Sequence, residues 1–195
     1  GLVVDRYGDT LVVQRNAAGI ETIWPQLLEA LDAVLAPKNI VLRDDSTARG
    51  FEGLPEKVET LRGDAGGAIP LLENGAKFLA DATGGQKTGW FYDQRDNRRA
   101  VAAVSAGARV LDLYTYAGGF GVLAALAGAA QVTMVDRSET ALGLARHAAE
   151  ANNVAAKCRF EKAEAFAHLE KLAGSGERFD VVVADPPAFA KSRKD

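Results

Sequence analysis

The sequence predicts an α/β protein in which a small mixed α/β domain precedes part of a Rossmann-like domain. Short β-prone runs and one amphipathic helix pattern share residues 1–88, whereas strand-like and helix-like segments alternate from residue 110 onwards. Alternation of this kind implies a parallel sheet with helices on both faces. We therefore expect a small domain on the substrate side over residues 1–88 and the Rossmann-like part over residues 89–195.

The first domain is predicted to contain a hairpin, one helix and further short strands. Apolar residues from Trp24 to Leu35 recur at helical spacing, and Pro37 ends that helix. Residues 44–68 are rich in Gly, Asp and Glu without a sustained period, so we expect them to be mostly loop. The predicted strands are Leu2–Val4, Leu11–Val13, Ile40–Leu42, Ile69–Leu72 and Ala76–Ala80.

The second domain is predicted as strands alternating with helices, one of which Ser138 caps. The predicted strands are Val110–Leu113, Val132–Val135, Cys158–Phe160 and Val181–Ala184. The predicted helices are Gly121–Ala129, Ser138 to about Ala151, and Ala163–Leu172.

Composition narrows the class of protein. The longest apolar stretches are far shorter than the roughly 20 residues of a membrane span, and the first residues do not resemble a signal peptide. Cys158 is the single cysteine, which excludes an internal disulfide and favours the cytoplasm. His147 and His168 lack a third ligand at useful spacing, so no metal is expected. The net charge of -3 argues against nucleic acid.

The segment LDLYTYAGGFG, residues 111–121, is the first candidate for a functional site. A strand ends at Asp112, and Gly118, Gly119 and Gly121 open a helix, at the strand end where ligands of open α/β sheets bind. Nicotinamide enzymes usually show G-x-G-x-x-G here, which this chain lacks. A carboxylate beside the turn would repel a pyrophosphate but suits S-adenosylmethionine, which carries an ammonium and a sulfonium.

Two acidic residues follow the next two strands. Asp136 closes the second strand, where it can accept hydrogen bonds from both hydroxyls of a ribose. Glu164 follows the third strand, where its side chain could meet the exocyclic amine of adenine. The alternative for Glu164 is a solvated glutamate at a helix start, since acidic residues favour helix N-termini.

A stiff loop follows the fourth strand. Pro186 and Pro187 fix the backbone, so the loop presents Asp185 at the carboxyl edge of the sheet. Phe189, slightly further on, is either a stacking surface for a base or an aromatic residue at the edge of the core.

The connector over residues 84–99 has an unusual composition, with four basic and two acidic side chains in a chain that is acidic overall. The basic residues are Lys87, Arg95, Arg98 and Arg99. The local charge is therefore +2, and one interpretation of the three arginines is a solvated helix face.

Taken together, these motifs resemble the cytosine-5 23S ribosomal RNA methyltransferases and related class I S-adenosylmethionine-dependent methyltransferases. The resemblance covers nearly the whole chain and rests on LDLYTYAGGFG, VDRS, ADPPAFAKS, the connector KTGWFYDQRDNR and the start, GLVVDRYGDTLVVQ. The connector and DPPAF are specific to the family, whereas the glycine turn alone is not.

The resemblance implies a role for each matching position. The implied cofactor-binding residues are Asp112, Tyr114, Gly118, Gly119, Gly121, Asp136, Arg137, Glu164, Ala165 and Asp185. The implied catalytic residues, facing the target base, are Asp185, Pro186, Pro187 and Phe189. The implied residues of the RNA cleft are Lys87, Tyr92, Gln94, Arg95 and Arg98. The chain departs from the family where two aspartates usually follow the third strand, since it has Ala163-Glu164 there.

The resemblance further implies methylation of carbon-5 of a cytosine in large-subunit ribosomal RNA. Family members usually begin with a PUA domain and continue past D-P-P to a cysteine that attacks the base, and neither is visible in this sequence. We therefore expect a fragment that is inactive by itself, in which Cys158 is a buried strand residue rather than the nucleophile.

Three alternatives stay open at this point. The first is methylation of an amine or guanine nitrogen, which also uses D-P-P loops. A nicotinamide-dependent oxidoreductase is the second, and the missing glycine pattern argues against it. The third is a non-catalytic RNA-binding or assembly module.

Overall fold

The computed structural model describes residues 1–64, 66–85 and 88–187, and the chain forms two units. The first unit comprises Gly1–Leu71 and Ala80–Phe91, and the second comprises Leu72–Leu79 and Tyr92–Asp195. The chain therefore enters the second unit twice, first for a short segment and again after Phe91. The sequence did not predict this early segment. The predicted α/β class is confirmed.

A four-stranded sheet forms the centre of the first unit. Its strands are β1 (Leu2–Tyr7), β2 (Thr10–Arg15), β3 (Asn39–Asp44) and β4 (Lys57–Arg62), in the spatial order β1-β2-β3-β4. The β2–β3 pair is parallel, and the two outer pairs are antiparallel. Between β2 and β3 the chain forms α1 (Ala18–Thr22) and α2 (Trp24–Leu35).

The helix α2 packs most of its apolar stripe on this sheet, as the helical spacing predicted, but Val34, which the spacing placed on the same face, is exposed. Buried residues from alternate positions of β2 and β3 meet partly buried residues of α2, because side chains alternate between the faces of a strand. The buried residues are Leu11, Val13, Ile40 and Leu42, and the helix residues are Trp24, Leu28, Leu31 and Leu35.

The expectation that residues 44–68 are mostly loop is wrong, because they contain α3 (Thr47–Phe51) and β4. Every residue of β4 is exposed, so hydrophobic burial leaves no periodic signal in its sequence. Backbone pairing with β3 holds this edge strand in place instead.

The strands β5 (Ala68–Glu73) and β6 (Ala76–Asp81) form a two-stranded sheet. The residues between them, Asn74 and Gly75, have φ angles of 51° and 79°. Positive φ at both positions is the conformation for which an Asn-Gly pair is favoured in tight hairpins. The end of this hairpin is the segment Leu72–Leu79 that belongs to the second unit.

The second unit contains a four-stranded parallel sheet with the order β10-β7-β8-β9. The strands are β7 (Arg109–Leu113), β8 (Gln131–Asp136), β9 (Cys158–Lys162) and β10 (Val181–Ala184). The helices are α4 (Arg95–Ala103), α5 (Gly119–Leu126), α6 (Glu139–Ala151) and α7 (Ala165–Ser175). The predicted alternation of strands and helices from residue 110 is confirmed.

The bounds of α5 and α7 differ from the predicted ones at both ends, and α4 was not predicted. The helix α5 begins at Gly119 rather than Gly121, since its glycines belong to the first turn of the helix. The helix α7 begins at Ala165 rather than Ala163, because Glu164 is its N-cap. The helix α4 occupies part of the predicted connector. Ser138 caps α6 as predicted, and its Oγ accepts a hydrogen bond from the Ala141 amide at 3.2 Å.

Strand register brings the candidate site residues to one edge of the sheet. Leu113 at the end of β7 pairs with Val135 of β8 on one side and with Ala184 of β10 on the other. Asp136 is the last residue of β8, and Asp185 follows β10 directly. The carboxyl ends of three neighbouring strands therefore carry Asp112, Asp136 and Asp185.

Candidate cofactor site and active site

The Asp112 carboxylate is the most buried acidic group at this edge, with 1% of the residue exposed. Its Oδ2 accepts hydrogen bonds from the Thr115 hydroxyl at 2.6 Å and from the Gly121 amide at 2.9 Å. No donor to its Oδ1 is found among the described residues. The carboxylate is thus fixed against the first turn of α5 through one of its two oxygens.

Burial raises the pKa of Asp112 to about 7, and the charge of the nearby Asp136 acts in the same direction. The hydrogen bonds from Thr115 and Gly121 and the positive charge of Arg98 oppose this increase in pKa. A cationic ligand beside the carboxylate would favour its ionised form. Contact of Asp112 with the positive group of a cofactor stays a prediction.

The three glycines of the turn are required by the protein's own packing. Gly118 has a φ of 80° and is the N-cap of α5, a left-handed conformation that favours glycine. A Cβ atom on Gly121 would lie 2.6 Å from Cγ and Sδ of Met134, and one on Gly119 would lie 2.6 Å from Nε of Arg98. From the sequence, these glycines were predicted to let a ligand approach the backbone closely. The structure shows that Gly119 and Gly121 also allow α5 to pack closely against α4 and β8.

The loop between β7 and α5 has an unusual backbone conformation. Tyr114 and Tyr116 have φ angles of 60° and 50°, in the left-handed region that residues other than glycine seldom adopt. The Tyr116 amide donates to Oδ2 of Asp136 at 2.9 Å, and the Thr115 amide donates to the Val135 carbonyl at 3.1 Å. Such backbone strain often marks functional sites, and it is held here by contacts with β8.

Asp136 uses both carboxylate oxygens in hydrogen bonds to the backbone. Oδ2 accepts from Tyr116, and Oδ1 accepts from the Ser138 amide at 2.9 Å. The carboxylate is partly exposed and each oxygen can accept further hydrogen bonds, so the binding of ribose hydroxyls stays a prediction. The neighbouring Arg137 is exposed, and its predicted contact with the cofactor is likewise a prediction.

Glu164 and Ala165 occupy positions that the helix α7 itself explains. The Glu164 carboxylate caps α7 by accepting a hydrogen bond from the Ala167 amide at 3.0 Å. Ala165 is buried in a core cluster with Leu111, Leu113 and Val135. The cap matches the alternative of a helix-start glutamate, and contact with adenine stays a prediction for both residues.

The D-P-P loop lies at the carboxyl edge of β10. Asp185, Pro186 and Pro187 are all exposed, next to the strand that carries Asp112. Phe189, predicted to face the base, and Lys87, predicted for the cleft, lie outside the described residues.

The predicted cleft residues differ in exposure. Tyr92 and Gln94 lie in a short 3-10 helix and are partly exposed, and the guanidinium of Arg95 lies 5.8 Å from the Tyr92 ring centroid. Arg98 is only 4% exposed and pairs with Glu73 at 2.6 Å. Arg99 is exposed and pairs with Asp96, as expected for a solvated helix face. Contact of these side chains with RNA stays a prediction.

Glu73 was missed by sequence reasoning, because it lies in a hairpin 25 residues before its partner Arg98. Glu73 is buried in β5, and the sequence around it carries no signal of that burial.

Cys158 is partly buried at the start of β9, and its thiol donates to the Val154 carbonyl at 3.4 Å. Burial raises the pKa of this thiol to about 11, so it is protonated at neutral pH. Within the described ranges, no three His, Cys, Asp or Glu side chains come together as a metal site, and no helix is long and apolar enough to cross a membrane.

Comparison with curated proteins gives relatives along the whole chain. The proteins of Aeromonas salmonicida and Tolumonas auensis, both named ribosomal RNA large subunit methyltransferase I, are each 40% identical, over 195 and 196 residues. Each alignment covers 99% of this chain and 49% of the relative. The chain thus spans about half the length of these curated relatives.

Solved structures share the fold. A protein of Streptococcus mutans assigned as a SAM-dependent methyltransferase has a TM-score of 0.83 at 25% identity, covering 96% of this chain and 48% of that chain. A methyltransferase crystallised with S-adenosylhomocysteine has a TM-score of 0.85 at 25% identity, covering 100% of this chain and 50% of that chain.

The family model described as S-adenosylmethionine-dependent methyltransferase matches residues 52–194, which include the carboxyl edge with Asp112, Asp136 and Asp185. The match spans most of the chain and agrees with the motifs from which the cofactor was predicted. The chain belongs to the S-adenosylmethionine-dependent methyltransferase family.

Proposed function

We propose that the full-length protein transfers a methyl group from S-adenosylmethionine to carbon-5 of a cytosine in large-subunit ribosomal RNA, in the cytoplasm. The observation that carries this proposal is the buried Asp112 carboxylate, fixed by the Gly121 amide at the end of β7. The names of the relatives from A. salmonicida and T. auensis support the substrate class. The segments KTGWFYDQRDNR and DPPAF, which resemble cytosine-5 methyltransferases, support the acceptor atom.

The residues at the carboxyl edge fit S-adenosylmethionine better than a dinucleotide. Asp112 would pair with the ammonium of the amino-acid part, and Asp136 would accept hydrogen bonds from the ribose hydroxyls. Residues 112–121 contain no lysine or arginine that could neutralise a pyrophosphate. When bound, S-adenosylmethionine supplies a methyl group made electrophilic by its sulfonium.

Carbon-5 of cytosine is a poor nucleophile, so cytosine-5 chemistry needs a thiolate that first adds to carbon-6. Cys158 is unsuited to this role, because its buried thiol has a pKa of about 11 and donates to a backbone carbonyl. As the resemblance implies, the attacking cysteine would lie beyond residue 195.

Target-base recognition would belong to the D-P-P loop and the connector. Asp185 would orient the cytosine through its exocyclic amine or ring nitrogen, and Phe189 would stack on the base after it leaves any helix it occupies. Lys87, Tyr92 and Arg95 would border the RNA.

The test is methyl transfer by the full-length protein to undermodified large-subunit ribosomal RNA, with radiolabelled S-adenosylmethionine and mass spectrometry of the nucleosides. We expect 5-methylcytidine. An N-methylated nucleoside would overturn the carbon-5 assignment in favour of nitrogen chemistry. RNA binding that the cofactor does not affect, without methyl transfer, would favour a non-catalytic module.

The variant Asp185→Asn separates recognition of the base from cofactor binding. We expect a large fall in the rate of methyl transfer with little change in affinity for S-adenosylhomocysteine, because this loop would face the base. Asp9→Asn, at an exposed position in the first unit, is the matched control and should behave like the wild type. Equal activity of the two variants would contradict the assigned role of Asp185.

A further inference from the structure

A buried ion pair joins the hairpin to α4 within the second unit. Glu73, at the end of β5, and Arg98 are 2% and 4% exposed, and their carboxylate and guanidinium atoms lie 2.6 Å apart. Replacing a buried ion pair by apolar residues of similar volume is often neutral or stabilising. A contribution to folding stability therefore does not by itself explain why Glu73 and Arg98 are paired here.

The hairpin end that carries Glu73 is itself anchored to the second unit. The Asn74 side-chain amide donates to the Arg95 carbonyl at 2.9 Å. The Asn152 side chain accepts from the Lys77 amide at 3.0 Å and donates to the Lys77 carbonyl at 2.7 Å. Polar contacts on both sides of the turn therefore set the position of the carboxylate that holds Arg98.

Arg98 in turn contacts the glycine turn that opens α5. Its Nε lies 2.6 Å from the position that a Cβ atom on Gly119 would occupy, so only a glycine fits there. Its guanidinium lies 5.8 Å from the ring centroid of Phe120. The planar group thus packs against the first turn of the helix whose Gly121 amide binds Asp112.

We infer that Arg98, held by Glu73, is a positioning residue for the cofactor site, which acts through the Gly119 turn and supplies positive charge to the surroundings of the Asp112 carboxylate. This inference rests on the proposed function, because it takes Asp112 as the partner of the cofactor's ammonium.

Several groups face Asp112 from the surrounding elements. Thr115 and Gly121 donate hydrogen bonds to it, the Asp136 charge from β8 opposes its ionisation, and the Arg98 charge from α4 favours it. Arg98 is therefore a cationic side chain whose charge acts on this carboxylate.

The test uses the full-length protein and two variants at this pair. Glu73→Gln combined with Arg98→Gln removes both buried charges and leaves two amides that can bond to each other, so the variant can fold. Arg98→Lys keeps the charge and loses the planar contact with Gly119. Arg146→Gln is the matched control, because Arg146 also pairs with a glutamate at 2.7 Å and lies 5.5 Å from a phenylalanine ring, Phe160.

Two readouts are measured for each protein: the carboxyl titration of Asp112 by NMR without ligand, and the affinity for S-adenosylhomocysteine between pH 5 and pH 9. For the double variant we expect the Asp112 midpoint to rise by about one pH unit, as expected on loss of a nearby opposite charge. We also expect its affinity at pH 7 to fall roughly fivefold, because a rise of one unit from a pKa of about 7 lowers the ionised fraction at that pH from about one half to about one tenth. Arg98→Lys should keep the midpoint and bind more weakly, and Arg146→Gln should match the wild type.

An unchanged midpoint in the folded double variant would overturn the inference. The same would follow from a rise of the midpoint in Arg146→Gln that equals the rise in the double variant. If the wild type does not bind S-adenosylhomocysteine, the proposed function fails; the ligand-free titration then still decides whether Arg98 controls Asp112.

Discussion

Asp112→Asn should make the protein more stable at alkaline pH relative to the wild type, while weakening cofactor binding. An asparagine oxygen placed at the position of Oδ2 can accept the same hydrogen bonds from Thr115 and Gly121. What the substitution removes is the ionisation of a carboxyl group that burial holds at a pKa of about 7, against 3.8 for the free side chain.

The magnitude follows from linkage between protonation and folding. Because the pKa of Asp112 is higher in the folded state, the folded protein binds this proton more tightly than the unfolded chain does. Protonated Asp112 therefore contributes most to the free energy of unfolding of the wild type below about pH 4, and this contribution is lost as the pH rises to about 7. A difference of roughly three pKa units corresponds to about 4 kcal/mol.

The assay is urea unfolding of the full-length wild type and variant from pH 4 to pH 9. The free energy of unfolding of Asp112→Asn minus that of the wild type should rise by about 4 kcal/mol across this range. Any pH-independent effect of the new amide cancels in that change. Affinity for S-adenosylhomocysteine at pH 8 should fall by about 1.5–3 kcal/mol, the value of a hydrogen bond to a charged group.

Asp9→Asn is a control with the opposite sign. A hydrogen bond from Lys38 lowers the pKa of Asp9, so this carboxylate contributes stability above its unfolded pKa and loses it as the pH falls. The stability of that variant relative to the wild type should therefore be nearly constant from pH 4 to pH 9, and should decline with rising pH only below about pH 4. A pH-independent difference between Asp112→Asn and the wild type would refute the assignment of Asp112 as a buried carboxyl group with a raised pKa.

Three further predictions concern local contacts. Gly121→Ala should destabilise the protein by about 1–3 kcal/mol, because the new Cβ would lie 2.6 Å from Met134. Gly143→Ala, which has open space around it in α6, should instead stabilise the protein by roughly 0.5–1 kcal/mol. Urea unfolding measures both changes. Ser138→Ala should lose about 1 kcal/mol in the same assay, since it removes the cap of α6. Cys158→Ser should keep methyl transfer in the full-length protein, and loss of activity in a folded, cofactor-binding variant would make Cys158 the nucleophile.

Local patterns were sufficient to predict much of the second unit. The strands β7, β8 and β10 each contain a short apolar run, and the acidic residues Asp112, Asp136 and Asp185 stand at or next to their ends. Because parallel strands end at one edge, these residues had to come together there.

What the sequence could not predict depends on contacts between distant segments. The Glu73–Arg98 pair joins a hairpin to a helix, and neither segment alone indicates the other. The edge strand β4 has no buried residue, so no hydrophobic period marks it. The conformations of Tyr114 and Tyr116 are fixed by hydrogen bonds to β8, which propensity at those positions does not reveal.

The most direct test of this account is calorimetric titration of the full-length protein with S-adenosylhomocysteine at pH 8, with NAD and the variant Asp136→Ala in parallel. The account predicts that S-adenosylhomocysteine binds the wild type, that NAD does not, and that Asp136→Ala binds S-adenosylhomocysteine much more weakly. Binding of NAD, or no binding of S-adenosylhomocysteine by the folded wild type, would contradict the cofactor site at the carboxyl edge.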